Sequence, residues 1–315
     1  MNKILETEYI DLVNQLKKVF INNNVDINKK MLLGISGGPD SMWLLYLLKD
    51  FDIIVSCVNY GKRYDSHYDE KLVRLFCLEN NIPCEILNLS HSDDNAKGNF
   101  QTIARDERYE FYKELYKKHD CNYLILAHHK DDFIETAIMQ KNSKREPLFY
   151  GIKTTNVINK MLIFRPMIEL FYKDEIKDLC NKFSILFASD YTNDLPIYTR
   201  NQIRLTLKAE DKKHKDNIIK QFNLINNKNK QQEIEIKDLY EMWKNQEFDC
   251  DKLDYESPKL LNLIYYSINQ NYQGIELSKN KIINIIDFLK SNNRTSKFKL
   301  NNNNYLIKIK NKVIF

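Results

Sequence analysis

Six consecutive residues, Ser36-Gly37-Gly38-Pro39-Asp40-Ser41, carry the clearest chemistry in the chain. Adjacent glycines let backbone amides approach a ligand, Ser36 and Ser41 add hydroxyl donors, and an apolar helix beginning near Met42 adds the partial positive charge of its N-terminus. That set suits a pyrophosphate. It also reads as a tight strand-to-helix turn in which Asp40 or Ser41 caps the helix. No Gly-Lys-Ser or Gly-Lys-Thr closes the loop, so it is not a Walker loop and does not point to γ-phosphate transfer.

A second polar string, Ala127-His128-His129-Lys130-Asp131-Asp132, follows an apolar run. Contiguous residues at a strand-to-helix turn cannot all aim at one ion, so the alternatives are a substrate site or a cap formed by Asp131 or Asp132. A third region joins Asp190-Tyr191-Thr192-Asn193-Asp194 to Tyr198-Thr199-Arg200-Asn201-Gln202-Ile203-Arg204. Taken as residues alone, it is either a binding segment or an Asp/Asn-rich loop capping a helix whose arginines face solvent.

The elements that must hold these strings are legible as periodicity. Tyr9, Leu12, Val13, Leu16, Val19 and Phe20 recur at helical spacing. Short apolar runs at 31–35, 53–58, 84–89 and 123–127 each precede a stretch of helical character. This alternation predicts an α/β fold with a parallel sheet covered by helices, and functional loops at the carboxyl ends of the strands. From residue 211 the pattern turns helical and Lys-, Asn- and Glu-rich, with strands expected at 297–300 and 305–315. We therefore expect a Rossmann-like domain over 1–210 and a small, mainly helical domain over 211–315.

The string Ser36 to Ser41 resembles the PP-loop of N-type ATP-pyrophosphatases, which split ATP into AMP and pyrophosphate while adenylating a substrate. With it stand Ala127 to Asp132, Gln101-Thr102-Ile103-Ala104-Arg105 leading to Arg108-Tyr109, Arg165-Pro166, and the paired segments from Asp190 and Tyr198. As a set, over about residues 30–210, these are similar to the motifs of tRNA(Ile)-lysidine synthetases. The resemblance implies ATP and Mg²⁺, free L-lysine, and a tRNA(Ile) with a CAU anticodon as partners. Lysine would be joined to C2 of the wobble cytidine through an adenylated intermediate.

By that resemblance Ser36, Gly37, Gly38, Pro39, Asp40, Ser41 and His129 hold the nucleotide, and Asp40 also holds Mg²⁺. Asp132, then Asp190, is the candidate carboxylate for lysine. Arg105 and Arg200 are candidates for phosphate or the flipped base, and Asn193, Asp194, Arg200 and Arg204 for substrate contacts. The chain departs from the family at Val58-Asn59-Tyr60-Gly61-Lys62-Arg63, where a V-D-H-G-x-R type string is common, and at Lys144, Arg145 and Glu146, which replace a Gly-rich turn.

Composition bounds the rest. A net charge of +5, from 48 basic and 43 acidic side chains, is too small to argue RNA binding by itself. Residues 291–315, however, hold Arg294, Lys297, Lys299, Lys308, Lys310 and Lys312 without one acid, which suits either a phosphate-contacting face or a protected strand edge. No segment has the apolar length of a membrane span, so a cytoplasmic protein is expected, with a homodimer as one assembly it could form. Six cysteines lack paired spacing. That counts against a PP-loop tRNA thiolase, and the intact Ser36, Asp40, Ser41 and Asp132 count against a catalytically silent RNA-binding protein.

Overall fold

The apolar runs become strands of one sheet. The computed structural model describes residues 3–61, 66–89, 100–143, 147–188, 199–272, 275, 277–301 and 304–315. β1 (Met31–Ile35), β2 (Ile53–Asn59), β3 (Cys84–Asn88), β4 (Tyr123–Leu126), β5 (Thr155–Ile158) and β6 (Met161–Phe164) lie in the order β3-β2-β1-β4-β6-β5. All pairs are parallel except β5 with β6 at the edge. Central β1 is buried almost throughout. A strand covered on both faces must be apolar on both, so it appears in sequence as a run and not as alternation.

Helices supply the cover. α1 (Lys3–Asn22) buries Leu16, Val19 and Phe20, the inner end of the stripe read from the sequence. α2 (Pro39–Leu48) is buried at every residue from Ser41 to Leu48, packed against β1 and α7 (Lys173–Lys182). α3 (Ser66–Glu79) covers β2 and β3, and α4 (Phe100–Lys118) covers β1, β2 and β4.

The chain winds from β1 outward to β3 and then returns to place β4 on the other side of β1. That reversal opens a crevice between the carboxyl ends of β1 and β4, where ligands bind in open α/β sheets. The loop of Ser36 leaves β1 there, and the turn of His128 leaves β4 there, before α5 (Lys130–Asn142).

The β5–β6 hairpin is absent from the sequence reading. Its turn residues, Asn159 and Lys160, both have positive φ, 53° and 65°, as a two-residue type I′ turn requires. An Asn-Lys pair lacks the glycine that advertises such turns.

Two compact units divide the chain, Met1–Met139 with Gly151–Ile219, and Gln140–Tyr150 with Lys220–Phe315. The division falls inside α9 (Lys212–Asn245), beyond the boundary near residue 210 expected from composition. The reason is local: Lys215 Nζ donates to Asp131 Oδ1 at 3.0 Å and the Tyr172 hydroxyl donates to Asp216 at 2.6 Å, which ties the start of α9 to the first unit. Residues 140–150 join the second because Asn226 engages both backbone groups of Tyr150.

The second unit packs α9, α10 (Leu260–Asn271) and α11 (Lys279–Lys290) with a sheet of β7 (Ser296–Lys299), β8 (Tyr305–Ile309) and β9 (Lys312–Ile314) around Trp243, Ile264, Ile285 and Leu306. The expected final strand is split at Lys310-Asn311, again a positive-φ pair. Lys308 is fully buried, and its ammonium donates to the carbonyls of Phe288 (3.0 Å), Leu289 (3.3 Å) and Ser291 (2.9 Å) at the end of α11. A cation there satisfies carbonyls that the helix leaves open. Lys312 is paired with Glu247. Arg294 also lies 3.9 Å from Asp251, so three of the six tail cations meet partners within the unit, while Lys297, Lys299 and Lys310 are exposed. No described helix is long and apolar enough to cross a membrane.

Candidate active site

Gly37 turns the chain out of β1 with φ +83°, and a Cβ there would lie 2.9 Å from the Asp69 carbonyl oxygen. Glycine is required both by conformation and by that close approach. Gly38 is the N-cap of α2 and Pro39 opens the helix, with no side-chain cap among the described residues. Those amides, with the helix dipole, are left for an anion. Ser41 does not cap: its hydroxyl donates to Gly38 O at 2.9 Å and receives the Ser36 N–H at 3.2 Å, while the two serine Oγ atoms lie 3.2 Å apart.

Asp40 points into the crevice, and its Oδ1 is buried with no hydrogen-bond partner among the described residues. An orphaned carboxylate oxygen beside a phosphate loop fits Mg²⁺, which takes one or two carboxylates and completes its shell with substrate phosphates and water. Among the described residues no cluster of three or more His, Cys, Asp or Glu would hold a metal by itself.

Across the crevice, the two histidines after β4 take opposite states. Burial pushes His128 down to about 4, so it is neutral. Burial opposes charge on His129 too, but Asp132, Asp40 and Asp131 outweigh it and raise His129 to about 9. Its Nε2 lies 3.4 Å from Asp132 Oδ2 and 3.7 Å from Asp40 Oδ2. A buried imidazolium thus joins the two loops.

The neighbouring carboxylates have different tasks. Asp131 receives the Lys173 N–H at 2.8 Å and the Lys215 ammonium, which fixes α7 and α9. Asp132 receives the His129 N–H at 3.0 Å, a capping contact that the sequence also allowed. Burial disfavours its charge, yet His129, His128 and Arg200 pull Asp132 down to about 2. It is held ionised and serves better to bind a cation than to accept a proton.

One turn along α5 lies Glu135, buried and not singled out from the sequence. Its oxygens accept from Arg200 Nε and Arg204 Nε, both at 2.8 Å, and Arg200 Nη2 reaches Asp132 Oδ1 at 3.0 Å. Arg200 and Arg204 are successive turns of α8 (Thr199–Lys208), so one face of that helix closes on one face of α5. The only available signal for Glu135 was its Asp132-x-x-Glu135 spacing within a largely apolar stretch.

A separate set of arginines gathers on Tyr109 of α4. Arg105 lies 4.9 Å and Arg108 6.0 Å from its ring centroid. Arg165, which follows β6, hydrogen-bonds the same tyrosine and donates from Nη1 to Asn156 Oδ1 at 2.7 Å, while its Nε is buried without a partner among the described residues. The motifs at 101–109 and 165–166, far apart in sequence, therefore form one cationic cluster. Asp190, Asn193 and Asp194 lie outside the described residues. A concavity of about 420 Å³ at the amino edge of the sheet, beside Asp52 and His119, contains none of the candidate residues.

A family model described as a PP-loop domain matches residues 8–210. A tRNA(Ile)-lysidine synthase of Mycoplasmopsis pulmonis is 42% identical over 282 residues, covering 89% of this chain and 96% of the relative. The chain belongs to the tRNA(Ile)-lysidine synthase family. The lysidine synthase of Ureaplasma parvum is 34% identical over 309 residues, covering 96% of this chain and 89% of that one. Among solved structures, a U34-tRNA thiolase of Methanococcus maripaludis superposes with TM-score 0.57 at 19% identity, over 69% of this chain and 80% of its own. That similarity shows the PP-loop fold alone. Within the lysidine synthase fold, the crevice brings together Ser36, Asp40, Ser41, His129, Asp132, Arg200 and Arg204 and adds Glu135, while Arg105 belongs to the cluster on Tyr109.

Proposed function

We propose that this chain uses ATP to join the ε-amine of lysine to C2 of the wobble cytidine of tRNA(Ile) with a CAU anticodon. Family membership makes it a tRNA-modifying ligase of the PP-loop class. The observation that carries the chemistry is the crevice itself, with uncapped helix amides on one wall and the ionised Asp132 beside buried Glu135 on the other.

The cytidine C2 carbonyl is a poor electrophile. Attack of its oxygen on the α-phosphate of ATP expels pyrophosphate and leaves AMP as a leaving group on C2; the lysine amine, once it has given a proton to solvent, adds at C2, and AMP departs as the second amine proton is lost to solvent. Charge accumulates on phosphate oxygens in the first step, and the Gly37–Ser41 backbone with the Ser36 and Ser41 hydroxyls faces it. Asp40 would hold Mg²⁺, which supplies further charge neutralisation when bound. In the second step the lysine ammonium competes with Arg200 and Arg204 for Asp132 and Glu135, which position it. Arg105 contributes to a phosphate seat on α4, and exposed Lys297, Lys299 and Lys310 contribute to RNA attachment.

Sulfur transfer fits poorly. It needs a thiolate at the site, whereas burial raises Cys57 and Cys180 to about 12 and Cys121 and Cys250 to about 11. Cys84 is held down, first by a hydrogen bond from Cys77, but it opens β3 at the opposite, amino edge of the sheet. The test is AMP release from ATP with an unmodified CAU-anticodon tRNA. Dependence on lysine is expected; turnover indifferent to lysine but stimulated by a sulfur donor would replace this function with thiolation.

A further inference from the structure

Tyr60 stands where the resembling family often has histidine, directly after β2 at the carboxyl edge of the sheet. Its hydroxyl donates to the Ala104 carbonyl at 3.1 Å and accepts from the Arg108 guanidinium. In α4 that carbonyl is also the one positioned to receive the Arg108 backbone N–H, four residues on. A single hydroxyl therefore binds one helical turn through both its backbone and its side chain.

The position of that turn gives the bridge its meaning. α4 connects parallel strands β3 and β4, so it runs back across the sheet with its first half at the carboxyl edge. Buried Tyr112 of the same helix lies over Gly34 of β1 so closely that a Cβ there would meet its hydroxyl oxygen at 2.5 Å. Arg108 is one turn, about 5.4 Å, nearer the edge, towards the loop that begins at Ser36.

The two groups of arginines differ in how their charge is met. Arg200 and Arg204 are neutralised in place by Glu135 and Asp132. Around Arg108, among the described residues, burial opposes the charge, and the groups acting on it are the phenols of Tyr112, Tyr60 and Tyr109. Together with Arg105 and Arg165 on Tyr109, this gathers three guanidiniums at the first half of α4. A planar guanidinium held by its neighbours is suited to binding phosphate oxygens in pairs.

We infer that Tyr60 is a positioning residue, fixing the Arg108 guanidinium at the carboxyl edge of β1 and β2 as a seat for a phosphate group of the nucleotide or of the tRNA. The inference rests on the reaction proposed above. A phenol performs both halves of the bridge over the whole neutral range, donating to the carbonyl and accepting from the guanidinium. An imidazole would lose its acceptor on protonation.

The test is a cycle of wild type, Tyr60→Phe, Arg108→Ala and the double variant, read by equilibrium binding of ATP with Mg²⁺ and, separately, of tRNA, together with AMP release. Tyr60→Phe keeps the ring and removes one oxygen. It is expected to weaken binding of one of the two ligands about tenfold, the size of a missing hydrogen bond to a charged group, and the ligand affected identifies the source of the phosphate. Because Tyr60 acts through Arg108, the double variant should be no weaker than Arg108→Ala. Unchanged affinity for both ligands in Tyr60→Phe, or effects that multiply in the double variant, would overturn the inference. Independently of any variant, hindered rotation of the Arg108 guanidinium is expected by NMR in the wild type, and free rotation would count decisively against the bridge. Binding needs no turnover, so a wild type without lysine-dependent AMP release would refute the function while the cycle still decides the role of Tyr60.

Discussion

At the scale of single residues the crevice depends on Asp40, whose buried oxygen lacks a partner among the described residues, and on His129, whose charge is held by three carboxylates. Asp40→Ala should abolish AMP formation and leave tRNA affinity nearly unchanged, because it removes a phosphate- and metal-facing group and no RNA-facing cation. AMP formation within a few-fold of wild type would show that the loop has been misassigned. His129 adds a pH prediction. Its folded value, about 9, lies above the ordinary 6.5, so its stabilising contribution is complete below 6.5 and is lost as pH rises through 9. Asp132 is shifted the other way, and its contribution persists above 3.8 and fades as pH falls through about 2. Between pH 7 and 9.5 the melting temperature of metal-free protein should therefore fall, and less so in His129→Gln. An equal fall in the variant would remove His129 as the cause.

At the scale of elements, α5 and α8 are joined by carboxylates on one helix and guanidiniums on the other. Glu135→Ala leaves Arg204 and Arg200 without their main partner. A fully buried pair broken in this way costs roughly 3–5 kcal/mol, but the Arg200 side chain is 40% exposed, so about 2 kcal/mol is expected by denaturant unfolding. A loss below about 0.5 kcal/mol would mean that the network does not hold α8. The same elements show what was legible in the sequence. The loop at Ser36 and the turn at His128 were found because each follows an apolar run that can only be a buried strand. Glu135 was not, since a glutamate within a helix is ordinarily a solvated residue, and only the arrival of Arg200 and Arg204 makes it a partner. The cluster on Tyr109 was legible as motifs and not as a cluster, because the β5–β6 hairpin that delivers Arg165 turns on Asn159-Lys160.

At the scale of the whole molecule, the second unit decides how RNA attachment can be tested. Removing residues 291–315 would strip Leu300, Leu306 and Val313 from its core and uncover the carbonyls that Lys308 satisfies, so a loss of binding would report unfolding. Neutralising Lys297, Lys299 and Lys310 together to Gln leaves that core intact. The triple variant should bind tRNA more weakly and with a shallower salt dependence, the slope falling by roughly 0.7–0.9 for each phosphate that is no longer neutralised. An unchanged slope would place RNA attachment elsewhere. Composition across the whole chain could not show this distribution, because a buried cation such as Lys308 counts towards net charge without being available to a ligand.

Ligation of lysine to a wobble cytidine in the PP-loop crevice is read by mass spectrometry of the nucleosides from an unmodified CAU-anticodon tRNA incubated with the protein, ATP, Mg²⁺ and lysine. The wobble cytidine is expected to be replaced by a nucleoside heavier by one lysine less one water, isotopically labelled lysine to shift its mass accordingly, and one AMP to appear for each nucleoside converted. An unmodified cytidine despite correctly folded protein, or a product carrying sulfur in place of lysine, would contradict it.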